Sequence, residues 1–290
     1  MERKVALQIG NTLRMEALFQ AMSEVGFRYV AVALGDKTPL LDAGWEKYVA
    51  GIEALLEKYN LKCVQTHSPY YSLMLSAEHR TEEMDTALLR AVKATKMLGA
   101  EICAVHPRSV INDPDGFEDS IDRARSLQEN ITAFAPLVEQ CEKDGTYLGI
   151  ENLPKWPNDG TYFYSWIAED HRDVIDALGS KHAVAVWDFG HANMIETDHV
   201  QRIQTLGSRI KGSHVHANNA LNDQHLPPFI TPEALGARPV DWKSVLPALK
   251  ATGYDGYLTL ETHIYDGYPA APLIRYLYES VCELENIMNG

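Results

Sequence analysis

The chain lacks long apolar runs and closely spaced cysteines. No apolar stretch is long enough to span a bilayer, and the N-terminus reaches polar residues before the apolar core of a signal peptide could form. The four cysteines show no CxxC spacing, which disfavours a redox motif and fits a reducing cytoplasm. We therefore expect a cytoplasmic protein that does not enter a membrane.

Positive charge is also scarce. The 26 Lys and Arg residues are outnumbered by 40 Asp and Glu residues, for a net charge of −14, which disfavours nonspecific binding to nucleic acid. The sequence contains no GxSxG, no P-loop and no HExxH, so acyl transfer and nucleotide hydrolysis lack support. The hydrophobic content of 46% over 290 residues is ordinary for a globular protein with a substantial core.

Short apolar strand patterns alternate with amphipathic helical patterns along the chain. We predict strands at Val5–Ile9, Tyr29–Leu34, Leu61–Thr66, Glu101–His106, Tyr147–Glu151, Ala183–Asp188, Arg209–His214 and Gly256–Glu261. We predict helices near Arg14–Val25, Trp45–Tyr59, Glu82–Leu98, Phe117–Lys143, Tyr164–Leu178, His199–Leu206, Trp242–Ala251 and Ala271–Met288. This alternation implies parallel strands joined by right-handed crossovers.

Two α/β architectures fit such an alternation: an open doubly wound sheet and a closed eight-stranded barrel. The first strand ends in QIGNTLRM, which has no GxGxxG turn of the kind that dinucleotide-binding sheets carry. Eight strand–helix units over this length match the (β/α)8 TIM barrel, and no linker divides the chain. We predict a single TIM-barrel domain over residues 1–290.

Six of the predicted strands end at, or directly before, a residue that can bind a metal: His67, His106, Glu151, Asp188, His214 and Glu261. A barrel directs the C-terminal ends of its strands into one mouth, so these side chains should converge. Three carboxylates and one imidazole, from Glu151, Asp188, His214 and Glu261, would make a hard site suited to Mn, Mg, Co or Zn. One such residue would be an ordinary helix cap, but four at equivalent positions indicate a metal centre.

Further polar residues surround these strand ends. Two roles are open for a further set of residues: they could hold additional metal, or they could contact substrate. The set is His67, His106, His191, Asp223 and His225. If they hold metal, we expect the protein to bind more than one Zn. His216 and His263 alternate with His214 and Glu261 and so could face the mouth, where they would bind substrate. The loop after Glu151 offers Lys155 and Trp156 as further substrate-binding residues.

Taken in order, the motifs HSPY, AVHP, IENLP, WDFGHAN, HVHAN with DQHLPP, and LTLET resemble the xylose isomerase-like barrel superfamily. That superfamily contains sugar isomerases, sugar epimerases and the endonuclease IV class of abasic-site DNA nucleases. In the ketose epimerases, one divalent metal is held by the residues that match Glu151, Asp188, His214 and Glu261. The resemblance implies that Glu151 and Glu261 are catalytic and exchange a substrate proton through an enediolate.

In the endonuclease IV class, by resemblance, nine positions hold three zinc ions, and this sequence has a matching residue at every one: His67, His106, Glu151, Asp188, His191, His214, Asp223, His225 and Glu261. The loops ENLPKWPNDG and HVHANNALNDQH nevertheless depart from the nuclease pattern. We therefore expect a metal-dependent sugar or sugar phosphate isomerase or epimerase. The alternatives are an abasic-site nuclease with a trinuclear zinc cluster, an inosose dehydratase and a binder without catalysis. A small sugar is the expected partner, and the resemblance also implies pairing into a homo-oligomer.

Overall fold

The structure is a computed structural model. It describes residues 3–10, 14–70, 74–75, 81–111, 121–155, 163–195, 198–230, 237–264 and 269–290.

A ring of eight parallel strands forms the centre of the molecule. The ring strands are β1 (Val5–Gly10), β2 (Tyr29–Ala33), β3 (Lys62–His67), β5 (Ile102–Val105), β7 (Tyr147–Glu151), β8 (Ala183–Asp188), β9 (Ile210–His214) and β10 (Leu258–Leu260). They are hydrogen-bonded in the order β10-β1-β2-β3-β5-β7-β8-β9. A bridge between Val215 and Leu260 joins the ends of β9 and β10. This arrangement confirms the predicted TIM barrel.

Helices surround this ring. They are α1 (Met15–Val25), α2 (Thr38–Leu41), α3 (Trp45–Lys58), α4 (Glu82–Met97), α5 (Arg123–Asp144), α6 (Ala168–Ala177), α7 (Phe189–Asn193), α8 (His199–Leu206), α9 (Trp242–Ala251) and α10 (Ala270–Asn289). The two-residue strands β4 (Met74–Leu75) and β6 (Ser109–Val110) pair outside the ring.

The main hydrophobic core lies between the ring and the helices. Ring strands are apolar on both faces because one face packs on the helices and the other fills the barrel. Trp187 alternates with Asp188, so its indole points outward and is fully buried in this core, as the alternation predicts. Burying aromatic side chains such as Trp187 and Phe134 contributes about 2–3 kcal/mol each.

Inside the barrel, small residues lie directly below two candidate ligands. Gly149 precedes Glu151 by two residues and Gly212 precedes His214 by two, so each pair shares the inner face of its strand. A Cβ on Gly149 would lie 2.5 Å from Cγ2 of Val186 and 2.7 Å from Cγ2 of Ile102. The layer beneath the strand ends is therefore too tightly packed to accept a side chain here.

Several element boundaries differ from the predictions. The helix predicted from Tyr164 begins at Ala168, because Ser165 has φ of 70° and Ile167 is extended. The predicted helix start at Phe117 lies outside the described residues, and α5 begins at Arg123. The short helices α2 and α7 and the β4–β6 pair were not predicted, since four or five residues are too few to show helical periodicity.

The structure bears on two expectations drawn from composition, one about membrane-spanning segments and one about the cysteines. Within the described parts of the chain, no helix combines the length and the apolar character that a membrane crossing requires. All four cysteines are free thiols, and Cys63, Cys103 and Cys141 are buried as small apolar side chains.

Packing inside the barrel predicts opposite effects for two glycine substitutions. We expect Gly149→Ala to lower the free energy of unfolding by about 1–3 kcal/mol, because its methyl group overpacks the interior. Gly51→Ala is the control: Gly51 is exposed within α3, and the described residues place no atom within 4 Å of an added Cβ. We expect it to raise stability by about 0.5–1 kcal/mol. Urea denaturation measures both changes, and an unchanged midpoint for Gly149→Ala would contradict the tight packing.

Candidate metal centre

The six strand-end residues lie together at the C-terminal mouth of the barrel. His67, Glu151, Asp188 and His214 are the last residues of their strands, and His106 and Glu261 each follow their strand by one residue. Because the strands are parallel and closed into a ring, all of these ends point to the same side. The ring thus brings together side chains that are far apart in the sequence.

Glu151, Asp188, His214 and Glu261 form what we call the inner centre. Nδ1 of His214 lies 3.1 Å from Oε1 of Glu151, 3.0 Å from Oε2 of Glu261 and 3.9 Å from Oδ2 of Asp188. Ligands around one octahedrally coordinated ion are separated by about 3 Å when adjacent and about 4 Å when opposite. These separations therefore match four ligands of a single ion.

The hydrogen bonding of the inner centre tests this fit. Both carboxylate oxygens of Glu151, Oδ2 of Asp188 and Nδ1 of His214 are buried, and none makes a hydrogen bond with any described residue. Buried polar atoms without hydrogen bonds are costly, so their clustering indicates a group that they bind together. Three carboxylates and one imidazole suit a hard or borderline divalent ion such as Mn, Mg, Co or Zn.

His67 and His106 lie on the other side of Glu151. Their Nε2 atoms are 3.4 Å and 3.2 Å from Oε2 of Glu151, and 3.2 Å from each other. The two oxygens of Glu151 thus face different partners, Oε2 toward this histidine pair and Oε1 toward His214. A carboxylate placed in this way can bridge two ions.

His191, Asp223 and His225 form a second cluster, which we call the outer set. Oδ2 of Asp223 lies 3.3 Å from Nε2 of His191 and 3.2 Å from Nε2 of His225. Ligands of a tetrahedral Zn ion at 2.0–2.1 Å are separated by about 3.3–3.4 Å. The distances within the outer set therefore also match those between ligands of one metal ion.

The imidazole of His216 is fully buried, not exposed in the mouth where substrate would bind. It stacks on His225 with ring centroids 3.9 Å apart, and its Nε2 lies 3.1 Å from Oδ1 of Asp188. Gly190 makes room for it, because a Cβ there would lie 1.9 Å from Cε1 of His216. The alternation with His214 predicts the inward direction of His216 but not this packing under the outer set.

Main-chain carbonyls fix the orientation of three of the histidines. Nδ1 of His67, His191 and His225 lies 2.8–2.9 Å from the carbonyl oxygens of Ser68, Asn152 and Glu261, respectively. A carbonyl oxygen can only accept, so Nδ1 carries the proton in each ring and Nε2 faces the cluster. Metal-binding histidines are typically held by such a hydrogen bond on the opposite nitrogen.

Two buried glutamines that the sequence analysis missed hold the inner centre. Nε2 of Gln65 lies 2.7 Å from Nε2 of His214, and Gln8 donates to Oε1 of Glu261 at 2.6 Å. Because Gln65 contacts Nε2 of His214, the other ring nitrogen, Nδ1, faces the carboxylates of Glu151 and Glu261. Both glutamines lie on the inner faces of β3 and β1, and a polar residue inside an apolar strand pattern is the signal that could have revealed them.

Opposite charges hold the cluster together in the absence of metal. Burial would raise the pKa of Glu151, but the imidazoles of His214 and His106 outweigh burial and hold it well below its usual range. Burial likewise opposes ionisation of His214, yet the carboxylates of Glu151 and Glu261 raise its pKa. The carboxylates are therefore ionised at neutral pH and can bind a cation or accept a proton.

A cavity of about 700 Å³ opens above the two centres, within the range of small-molecule sites. Its floor includes Glu151 and Glu261, and His263 lies on its wall. Lys155 is not among the described residues that line this cavity, its ammonium lies over the ring of Trp166, and its part in substrate binding stays a prediction. Trp156, also predicted to bind substrate, lies outside the described residues.

Comparisons with known proteins agree with this class of barrel. The family model described as xylose isomerase-like TIM barrel matches residues 19–281, and the chain belongs to that family. An uncharacterised protein of Methanocaldococcus jannaschii is 25% identical over 242 residues, which cover 82% of this chain and 77% of that protein.

Two solved structures share the fold. A D-tagatose 3-epimerase-like protein has a TM-score of 0.71 at 20% identity and covers 98% of this chain and 99% of its own. A 3-keto-D-glucoside 4-epimerase from E. coli has a TM-score of 0.73 at 16% identity and covers 98% of this chain and 100% of its own. At these identities the likeness shows the fold alone.

The pairing of His225 with Asp223 predicts a pH dependence of stability. Burial lowers the pKa of His225, but the hydrogen bond to Asp223 together with the negative charges of Glu261, Asp223 and Asp188 outweighs burial and raises the pKa to about 9. The contribution of this pair is complete below the unfolded pKa of about 6.5 and is lost as pH rises through about 9. We therefore expect metal-free protein to lose stability across that interval, and His225→Gln to lose less. Urea denaturation in chelator measures both, and equal losses would contradict this pairing.

Proposed function

We propose that the protein is a divalent-metal-dependent sugar isomerase or epimerase. The observation that carries the proposal is the placement of Glu151 and Glu261, two ionised carboxylates that lie 3.1 Å and 3.0 Å from Nδ1 of His214 and both line the cavity. Isomerisation and epimerisation of a ketose both remove a proton from a carbon beside a carbonyl group and return it elsewhere. A pair of carboxylates at one cavity floor supplies a base and an acid for these two steps.

The residues divide this work as follows. The inner centre would hold the metal, which supplies charge that stabilises the negative oxygen developing on the substrate. One of Glu151 and Glu261 accepts the proton from carbon and later releases it to water, and the other takes a proton from water and delivers it to carbon. Gln8 donates a hydrogen bond to Glu261, which holds that carboxylate in one orientation while it exchanges a proton. Return of the proton to the opposite face gives epimerisation, and return to the neighbouring carbon gives isomerisation.

The charge of the cavity favours a neutral sugar over a sugar phosphate. Among the described residues that line it, Arg14 is the only lysine or arginine. The segments outside the described residues add only Arg80. Phosphate recognition usually involves several cationic or backbone N–H donors. Leu18, Leu153 and Phe163 also line the cavity, where their apolar side chains can pack on the apolar face of a sugar.

Substitution of either carboxylate tests the proton transfer. We expect Glu151→Gln and Glu261→Gln each to lower solvent deuterium incorporation into a ketose by about 10²-fold or more, because an amide cannot accept the proton. Free ketoses and inosose-type substrates, incubated in deuterated water with Mn or Co, provide the assay. Glu139→Gln is the control, since Glu139 is an exposed residue of α5. Normal exchange in either site variant would remove that carboxylate from the proposed chemistry.

Hydrolysis of DNA at abasic sites is the second candidate function. It is favoured by one observation: all nine residues that match the nuclease zinc ligands lie in the inner centre, the outer set and the histidine pair. It is opposed by the charge of the mouth, because binding a DNA backbone depends on clustered lysine and arginine.

A nicking assay separates the two candidates. We expect zinc-loaded protein to leave a duplex with a single abasic site intact, since the mouth offers few cations to its phosphates. A matched duplex without the abasic site controls for contaminating nucleases. Metal-dependent nicking that is lost in Asp223→Asn would support the nuclease and contradict the sugar reaction as the main activity.

A further inference from the structure

Asn152 follows Glu151 directly and contacts the next ligand strand. Its side-chain oxygen accepts a hydrogen bond from the backbone N–H of Asp188 at 2.7 Å, and its side-chain nitrogen donates to the carbonyl of Asp188 at 2.9 Å. The side chain is 1% exposed. Backbone pairing of β7 with β8 ends at Glu151 and Val186. Beyond that pair, the side-chain amide of Asn152 takes the place of a backbone amide and continues the hydrogen bonding between the two strands.

Asn152 also contacts the outer set. Its main-chain carbonyl accepts a hydrogen bond from Nδ1 of His191 at 2.8 Å, which leaves Nε2 of that ring facing Asp223. A single residue therefore adjoins Glu151 in the chain, holds Asp188 through its side chain and orients His191 through its main chain. Glu151 and Asp188 belong to the inner centre and His191 to the outer set, so Asn152 contacts both clusters.

The short helix α7 links Asp188 to His191, because it begins directly after Asp188 and contains His191. Oδ1 of Asp188 accepts a hydrogen bond from the N–H of His191 and so caps the helix. On the other side of the helix, Asn218 donates to the carbonyl of Gly190 at 2.8 Å. The helix is thus held between two buried asparagines, and a shift of Asp188 would move His191 with it.

We propose that Asn152 is a positioning residue that sets where Asp188 stands relative to Glu151, and that metal binding at the inner centre depends on it. The inference rests on the metal dependence proposed above but not on the identity of the substrate. Residues that hold metal ligands in place typically change metal affinity by about 10–100-fold when they are lost. Asn152 should act in this way because both of its side-chain hydrogen bonds go to the backbone of one ligand.

Two substitutions separate hydrogen bonding from packing. Asn152→Ala removes the amide, and Asn152→Asp keeps its size and the acceptor for the N–H of Asp188 but loses the donor to the carbonyl. The added negative charge by itself attracts a cation, so if Asn152 only fills space, the aspartate variant should bind metal at least as tightly as the wild type does. If the paired hydrogen bonds matter, both variants should bind metal about 10–100-fold more weakly.

The chain contains a matched control in Asn130, which is also buried. Its amide accepts from the N–H of Arg108 and donates to the carbonyl of Arg108, both at 2.8 Å, so it makes the same paired contact away from Asp188. Asn130→Ala should lower the melting temperature through loss of the same kind of contact and leave the affinity for metal unchanged.

The experiment titrates Co²⁺ and Mn²⁺ into each full-length variant, with the Co²⁺ absorption spectrum and the melting temperature as readouts. We expect weaker binding and an altered Co²⁺ spectrum in both Asn152 variants, and wild-type binding in Asn130→Ala. Wild-type affinity and spectrum in the Asn152 variants, or equal weakening in Asn130→Ala, would overturn the inference. A wild-type protein that binds no ion would instead contradict the proposed metal dependence. If the alanine variant does not fold, the aspartate variant gives the same decision.

Discussion

The buried carboxylate of Glu151 is the constraint on which the rest of the site depends. It lies at the end of a central strand, fully buried, with four imidazoles within 3.4 Å of its oxygens. A lone carboxylate in such a place would be very costly, and its ionisation is sustained only because positive charge, from protonated histidines or from a cation, lies close to it. The inner centre, the histidine pair and the outer set are all arranged around this charge.

The surrounding structure holds this cluster in place mainly through the backbone. Main-chain carbonyls orient His67, His191 and His225, while Gln8 and Gln65 orient Glu261 and His214. Such hydrogen bonds fix each ring before any ion or substrate arrives, which lowers the reorganisation that binding requires. The barrel interior beneath them is tightly packed. Gly149 and Gly212 lie below the candidate ligands Glu151 and His214, and neither position has room for a side chain.

The fold is compatible with several kinds of chemistry, and the site has to discriminate among them. The candidate metal ligands are compatible with both proposed activities, a sugar reaction and hydrolysis of DNA. The charge and shape of the mouth are more informative: an apolar wall and few cations suit a small neutral polyol better than a polyanion. For this reason the proposal rests on the carboxylate pair and its cavity together.

The barrel and the convergence of the candidate ligands at its mouth could be predicted from the amino-acid sequence. Strand periodicity and strict alternation are local signals, and a parallel ring brings every strand end to one side, so position along a strand is enough to place Glu151, Asp188 and His214. The division of those side chains into clusters became visible only in the folded chain, because it depends on distances between residues of different strands. His216 and Asn152 show why, since neither differs locally from an ordinary strand-end residue. Their surroundings come from residues elsewhere in the chain, Gly190 in α7 and Asp188 at the end of β8, which no pattern within one segment reveals.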